Sequence, residues 1–254
     1  MPQFQSYINE EPVTAQRKPF FQNQDDTSRD SFPDPGTARA NIAATPDHPE
    51  GTTKDNWAKE HTHQTVLQQH CSFFDRDHDG VIWPMDTYIG FRSLGFNILL
   101  SLLAIFVIHL NFSYPTSPSW IPDPFFRIRI SGIHKDKHGS DSGTYDTEGR
   151  FIPQHFEDIF TKYAPPGQDG LTFNDMCKML KGQRLIIDPV GWFGAFFEWV
   201  AAYLLLWPED GVMRKDDIRR IYDGSIFYEL AERRKIEKKK AIAEALRATN
   251  IGNM

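Results

Sequence analysis

The chain has 254 residues, a net charge of −6 and a pI of about 5.8. That length suits one large domain or two small ones, and the acidic balance argues against nucleic acid as a partner, because phosphate binding wants a basic surface. Two cysteines, Cys71 and Cys177, make no disulfide framework, so an intracellular, reducing setting is expected.

Residues 1–56 are rich in Pro, Asp, Thr and Gln and poor in aliphatics, which predicts a disordered polar tail. They open without a basic region followed by an apolar run, so no secretory leader is expected. A helical pattern begins near Trp57, and Val66, Leu67, His70, Cys71 and Phe74 fall on one face of it. The acidic loop DRDHDGVIWPMD, residues 75–86, follows, and then a second helix. Residues 57–95 therefore read as one EF-hand unit. Such a loop draws oxygens from positions 1, 3, 5, 7, 9 and 12, with Gly at 6 for the sharp turn. The predicted ligands are Asp75, Asp77, Asp79, the carbonyl of Val81, Trp83 by carbonyl or through water, and Asp86; Gly80 makes the turn. Ile82 stands where paired loops exchange a short β-bridge, and Pro84 suits the first turn of the exiting helix. A merely solvated acidic turn would need neither Gly80 nor helical flanks. His78 is expected to face solvent.

Residues 96–110 are apolar apart from Asn97, Ser101 and His109. Fifteen helical residues cover about 22 Å, short of the roughly 30 Å hydrocarbon core. A proline cluster follows, with Pro115, Pro118, Pro122 and Pro124, and limits any extension. Residues 96–126 are thus expected to enter a lipid monolayer and turn back, with Tyr114 and Trp120 at the interface; a bilayer span and a buried core helix are the competing readings. Residues 127–254 read as an α-rich region. Within it, Asp146–Gly149, Asp169–Gly170 and Asp210–Gly211 resemble the middle of the acidic loop but lack most of its oxygens, so they are expected to pair loops without holding ions. A second apolar run, residues 192–207, is interrupted by Glu198 and reads as core packing, or as the wall of an acyl or haem pocket. A charged helix over 227–248 closes the chain; Glu residues interrupt its basic run, which reads as a solvated face. The hydroxyls of Tyr222, Ser225 and Tyr228 are candidate phosphorylation sites.

The blocks LQQHCSFFDRDHDGVIWP, GFRSLGFNILLS, PTSPSWIPDPFF, IHKDKHGSDSGTYDTEGRF and IRRIYDGSIF, in this order and spacing, resemble the caleosin family of plant and fungal lipid-droplet peroxygenases. The likeness covers residues 61–230 and suggests a fungal-type member. It implies a mainly α fold of EF-hand-like units with short β-bridges, a membrane-inserting apolar segment with a proline knot, and a mostly cytosolic chain on lipid droplets or endoplasmic reticulum. It implies non-covalent haem b and Ca²⁺ as cofactors. It also implies fatty acids and fatty-acid hydroperoxides as partners, with oxygen passing to unsaturated fatty acids, sulfides or amines. The family's two haem histidines fall on His70 and His138, either of which could be the axial ligand. An axial imidazole suits haem iron, and moving the peroxide proton is acid–base work suited to a second histidine.

Apart from the resemblance, a lone histidine on an apolar face is more often a packed core residue, and His134 is a rival to His138. Cys71 adjoins His70, but helix geometry turns neighbouring side chains about 100° apart, so the two do not share one iron. A non-catalytic Ca²⁺-binding coat or tether protein of the droplet surface is the alternative function. A soluble Ca²⁺ sensor leaves the apolar segment unexplained. Asp at position 12, one methylene shorter than the usual Glu, predicts weaker Ca²⁺ binding and stronger competition from Mg²⁺. Asp86→Glu is expected to tighten Ca²⁺ in a calorimetric titration; an unchanged affinity would remove this account of position 12.

Overall fold

A computed structural model describes residues 38–252, with side chains to residue 247. The chain is mainly helical. The first helices are α1 (Trp57–Glu60), α2 (Val66–Ser72), α3 (Pro84–Ser93) and α4 (Ile98–Thr116). They are followed by α5 (Pro153–Tyr163), α6 (Phe173–Gln183), α7 (Pro189–Leu206), α8 (Lys215–Tyr222) and α9 (Ser225–Gly252). Local signals in the sequence set several starts. Thr65 and Gln68 form a reciprocal capping box on α2, and Thr172 with Asp175 does the same on α6. Pro84, Pro153 and Pro189 occupy first turns, where a missing N–H costs no helix hydrogen bond.

Four short strands join the loops between these helices. β3 (Gly170–Thr172) pairs antiparallel with β4 (Val212–Arg214), with Leu171 opposite Met213. The Asp169–Gly170 and Asp210–Gly211 turns are thereby joined, and the helix pairs α5–α6 and α7–α8 share one core. Phe156, Ile159, Leu171, Met176, Met179 and Met213 are fully buried there. The acidic loop takes a different partner. β1 (Val81–Ile82) pairs with β2 (Ile128–Arg129), a strand that follows the proline cluster. Ile82 and Ile128 then pack with Cys71, Ile130 and Ile133, and with Ile108 and Phe112 of α4.

Two expectations need correction. Residues 38–56, assigned to the disordered tail, are part of the fold, while residues 1–37 lie outside the described residues. Ala43 and Ala44 are buried, the Ala40 carbonyl accepts from Val66 N–H, and Arg39 bridges to Phe151. Alanines and threonines carry little apolar area, so composition does not reveal that a protein groove receives them. The second correction concerns Pro115, which does not stop α4. The helix runs through it to Thr116, because proline in the last turn costs only the one hydrogen bond to the Asn111 carbonyl, and the Thr116 hydroxyl braces the same turn by donating to the Phe112 carbonyl.

Helix α4 is turned inside out. Ser101, Ala104, His109, Ser113 and Thr116 are buried, whereas Leu99 is 74% and Phe106 63% exposed. His109 Nδ1–H donates to the Phe126 carbonyl, and its Nε2 accepts from the Thr87 hydroxyl. The polar side of α4 is thus latched to α3 and to the returning chain. A 3₁₀ segment, Ile130–Asp136, closes on it so tightly that a Cβ at Gly132 would meet the Thr116 carbonyl at 2.8 Å. Helix α7 is also less covered than the core-packing reading required. Ala195, Trp199 and Leu205 are buried, but Val190, Phe193 and Phe196 are exposed. Both helices are apolar and long enough to cross a membrane, and most of each lies on the surface.

The turn between α8 and α9 carries a buried polar knot. Thr52 Oγ1 donates to Asp223 Oδ2 at 2.5 Å, and Arg219 Nη1 donates to Thr52 Oγ1 and to the Ala43 carbonyl. Burial pushes the Asp223 carboxyl above its ordinary pKa, against the pull of Ser225, Thr52 and Arg219. Ser225 is buried with its hydroxyl 3.4 Å from that of Thr52, and the Tyr222 hydroxyl is bonded to Ser142, so neither presents a free hydroxyl. Arg219→Ala leaves the Asp223 carboxylate without its guanidinium. It is expected to lower stability by about 3–5 kcal/mol, read as a drop in the urea midpoint.

Candidate functional site

The acidic loop brings three carboxylates together. Ligand oxygens of Asp75, Asp77 and Asp79 lie within 4.8 Å of one another. Backbone N–H groups shape the turn: Asp79 and Gly80 donate to the Asp75 carboxylate, and Val81 donates to Asp79. Gly80 takes a φ of 80°, the left-handed conformation the sharp turn demands. Asp75 is buried, and desolvation raises its pKa, with the Asp79 charge adding to the rise. A bound dication would relieve that repulsion, so this donor set fits a hard cation. The Asp86 carboxylate instead caps α3 by accepting the Trp83 N–H at 3.0 Å, and His78 is exposed. The Asp146 turn is different. Its carboxylate accepts the Arg150 guanidinium at 2.7 Å, so a protein cation already holds the place an ion would take.

His70 projects from α2 toward the end of α8. Its Nδ1–H donates to the Ile221 carbonyl at 2.7 Å, and Phe227 meets the ring edge-on at 5.1 Å. Desolvation lowers its pKa, so the imidazole is neutral, and with the proton on Nδ1 the lone pair sits on Nε2. Gly224 makes this approach possible. Its φ is 75°, and a Cβ there would strike the Gln69 carbonyl at 2.7 Å. Burial pushes the neighbouring Cys71 thiol up to about 12, so it offers no thiolate at neutral pH.

His138 follows the 3₁₀ segment and faces α7. A Cβ on Gly194 would lie 3.4 Å from its Nε2, and Glu198 Oε1 is 4.0 Å from the same atom. Its Nδ1 is buried without a hydrogen-bond partner. The Glu198 side chain is 55% accessible, on the side of α7 that borders His138. Desolvation, with repulsion from Asp141 and Asp136, raises its pKa to about 7. Desolvation raises Asp136 to about 7 as well.

Two tyrosines join the segments that carry the histidines. The Tyr145 hydroxyl donates to the Tyr222 carbonyl, the rings are 5.1 Å apart, and the Tyr222 hydroxyl meets Ser142 at 2.7 Å. Burial holds Tyr222 up at about 12. Tyr222 follows the residue that anchors His70, and Ser142 lies four residues beyond His138. Tyr145 lies within electrostatic reach of both Cys71 and Glu198. No hydrogen bond or ring contact among the described residues joins the two histidines directly. A polar cleft of about 610 Å³ opens beside Asp141, Ser142 and His155, and neither histidine lines it.

These residues fit a haem. A neutral imidazole fixed through its other nitrogen to a backbone carbonyl is the usual arrangement of an iron ligand. On the second histidine, Nδ1 is buried without a hydrogen-bond partner, while Nε2 borders Gly194 and Glu198. Sequence reasoning passed over the roles of Glu198 and Asp136. The available signal was Glu198 itself, a single carboxylate within an apolar helix.

The caleosin-related protein model matches residues 62–231. A peroxygenase from Lilium longiflorum is 44% identical over 225 residues, 89% of this chain and 90% of its own length. A probable peroxygenase 4 from Arabidopsis thaliana is 40% identical over 174 residues, 68% of this chain and 89% of its own. A probable inactive peroxygenase-like protein of the same plant is 31% identical over 149 residues, 57% of this chain and 69% of its own. No solved structure matches. The likenesses place the chain among peroxygenase enzymes. It belongs to the caleosin family.

A carboxyl whose folded pKa is raised contributes less stability as pH climbs from the ordinary carboxylate range through the raised value. The thermal midpoint at fixed Ca²⁺ is expected to fall between pH 5 and pH 8, the window that Glu198 and Asp136 set with values of about 7. Glu198→Gln should flatten that fall; parallel slopes for the two proteins would show that Glu198 ionises in the fold as it does in water.

Proposed function

We propose that the chain is a Ca²⁺-dependent haem peroxygenase of the lipid-droplet surface. It transfers oxygen from a fatty-acid hydroperoxide to an unsaturated fatty acid, or to a sulfide or amine. The observation that carries this reading is His70, a half-buried neutral imidazole tied by Nδ1 to Ile221 with Nε2 left to bind a metal. His70 is the proposed axial ligand. Bound haem would supply an iron able to take oxygen from a hydroperoxide and pass it on.

The protein's task is to orient substrate, exclude water and manage one proton. His138 Nε2 would take the hydroperoxide proton and return it to the departing oxygen. Glu198 beside it, with a pKa near 7, can share that proton at physiological pH. Tyr145 and Tyr222 stay un-ionised and keep the region between the histidines dry of charge.

Calcium would bind Asp75, Asp77, Asp79, Asp86, the Val81 carbonyl and Trp83, by its carbonyl or through water. These residues link α2, which carries His70, to α3, which leads into α4. The ion would therefore set the angle of the His70 helix to the lipid-facing helix. The inward polar face of α4 supports the lipid reading, since its apolar side is left for acyl chains. Nineteen residues give about 28 Å, near the thickness of a hydrocarbon core. Helix α3 and the 3₁₀ segment lie along one side, however, and β2 brings Arg127 and Arg129 with it. This favours an element that dips into a monolayer over one that crosses a bilayer.

The test is the absorption spectrum of detergent-purified protein loaded with haem and Ca²⁺, with oleic acid epoxidation assayed on the same samples. His70→Ala is expected to lose the Soret band and the activity together. His138→Ala should keep the band and lose activity by about a hundredfold or more. Chelating Ca²⁺ should alter the spectrum as activity falls. A well-folded, Ca²⁺-loaded protein that takes up no haem would favour a droplet-coat role and return both histidines to packing.

A further inference from the structure

A second apolar face lies beside His138. Ile186 and Ile187 are 87% and 96% exposed, and Leu185, Val190, Phe193 and Phe196 continue the surface. Val190 and Phe193 are one helical turn apart on α7, directly behind the two isoleucines. The loop that displays them is braced. Asp188 Oδ2 accepts from the Ser140 N–H at 2.8 Å and from its hydroxyl at 2.7 Å. Ser140 Oγ in turn accepts the Leu185 N–H, and Trp192 Nε1–H donates to the Leu185 carbonyl. Asp188 also caps α7 through the Gly191 N–H. A network this complete holds the isoleucines outward, where each forgoes burial of its side chain.

The face adjoins the site. A Cβ on Gly139, next to His138, would meet Leu185 at 2.8 Å, and Gly194 on α7 borders His138 Nε2. Its rim is basic. Lys181 and Arg184 are exposed, and the Arg184 guanidinium stacks over Trp192 at 5.2 Å. That pairing of aromatic ring and cation at the edge of an apolar patch suits the headgroup layer of a lipid surface. Anionic headgroups would meet the basic rim. A second copy of the chain fits less well. In residues 181–193 the one acid, Asp188, is already bonded by Ser140 and Gly191, so a two-fold contact would offer this rim no free acid.

We propose that residues 185–196 form a second lipid-contact face, bordering His138, through which an amphiphilic substrate reaches the site from lipid and not from water. This rests on the lipid-surface reading of α4 and adds a separate point of contact.

The test uses full-length protein carrying Cys177→Ser. Cys71 is buried and its thiol pKa is about 12, so it should resist labelling. Ile187→Cys and, separately, Trp120→Cys carry an environment-sensitive nitrobenzoxadiazole dye. Vesicles are phosphatidylcholine with a minority of phosphatidylserine, with or without brominated acyl chains. At position 187 the dye should shift to the blue on vesicle addition and be quenched by bromine. Ile186→Asp with Ile187→Asp should weaken vesicle partitioning by about tenfold while the haem absorption band is retained. A shift at position 120 with none at 187 would overturn the proposal and leave α4 as the sole anchor. Silence at both positions would overturn the anchor reading and this one with it. A shift at 187 that follows protein concentration without vesicles would assign the face to self-association instead.

Discussion

The corner between α8 and α9 is the constraint on which the rest of the site depends. Residues 221–225 do three things at once. Ile221 fixes the His70 ring, Gly224 presses onto the backbone of α2, and Asp223 anchors the Arg219–Thr52 knot. The knot reaches across to residues 43–52, so the N-terminal segment is a strap over this corner and no mere leader. Buried carboxylate and guanidinium tolerate few alternative arrangements, because each misplacement leaves a charge without a partner. The position of His70 is therefore set by a distant part of the chain, while the acidic loop begins five residues beyond it.

A second principle concerns charge within the turns. Arg150 is joined to Asp146 and Arg214 to Asp210, and Arg127 is joined to Asp123 in the returning chain. In each, an arginine four residues on supplies internally the positive charge that an ion would bring. Asp75, Asp77 and Asp79 gather in one turn with no such arginine joined to them in the described ion pairs, and His78 between them points to solvent. Uncompensated negative charge thus separates the Asp75–Asp79 turn from those at Asp146 and Asp210 as much as the number of oxygens does.

Helix α4 shows how a solvent choice is written into a fold. Its serines, threonine and histidine satisfy one another and the neighbouring backbone, and its leucines and phenylalanine face outward. In water such an arrangement forgoes the hydrophobic contribution of most of the helix. Against acyl chains the same arrangement hides the serines, the threonine and the histidine, and leaves Asn111 and Tyr114 as its exposed polar side chains. The exposed isoleucines at 186 and 187 repeat this outward apolar arrangement near His138.

Much of this was legible in the sequence. The acidic spacing of residues 75–86, the capping residues, the apolar run and the Asp–Gly turns are local signals, governed by helix geometry and turn chemistry within a few residues. They gave the mainly helical fold and the paired turns at 170 and 211. The five sequence blocks gave the family. Only the tertiary structure decided the remainder. Residues 38–56 have a composition that cannot build a core alone, but they can fill a groove built by others. Pro115 could not be read as harmless without knowing that it falls in a final turn. Glu198 and Asp136 look ordinary until the fold brings them and Asp141 close enough for their charges to repel. The outward face of α4 and the braced loop at 185–188 also depend on what packs behind them. Periodicity shows that a helix has faces; which face turns inward is settled by contacts between residues far apart in the chain.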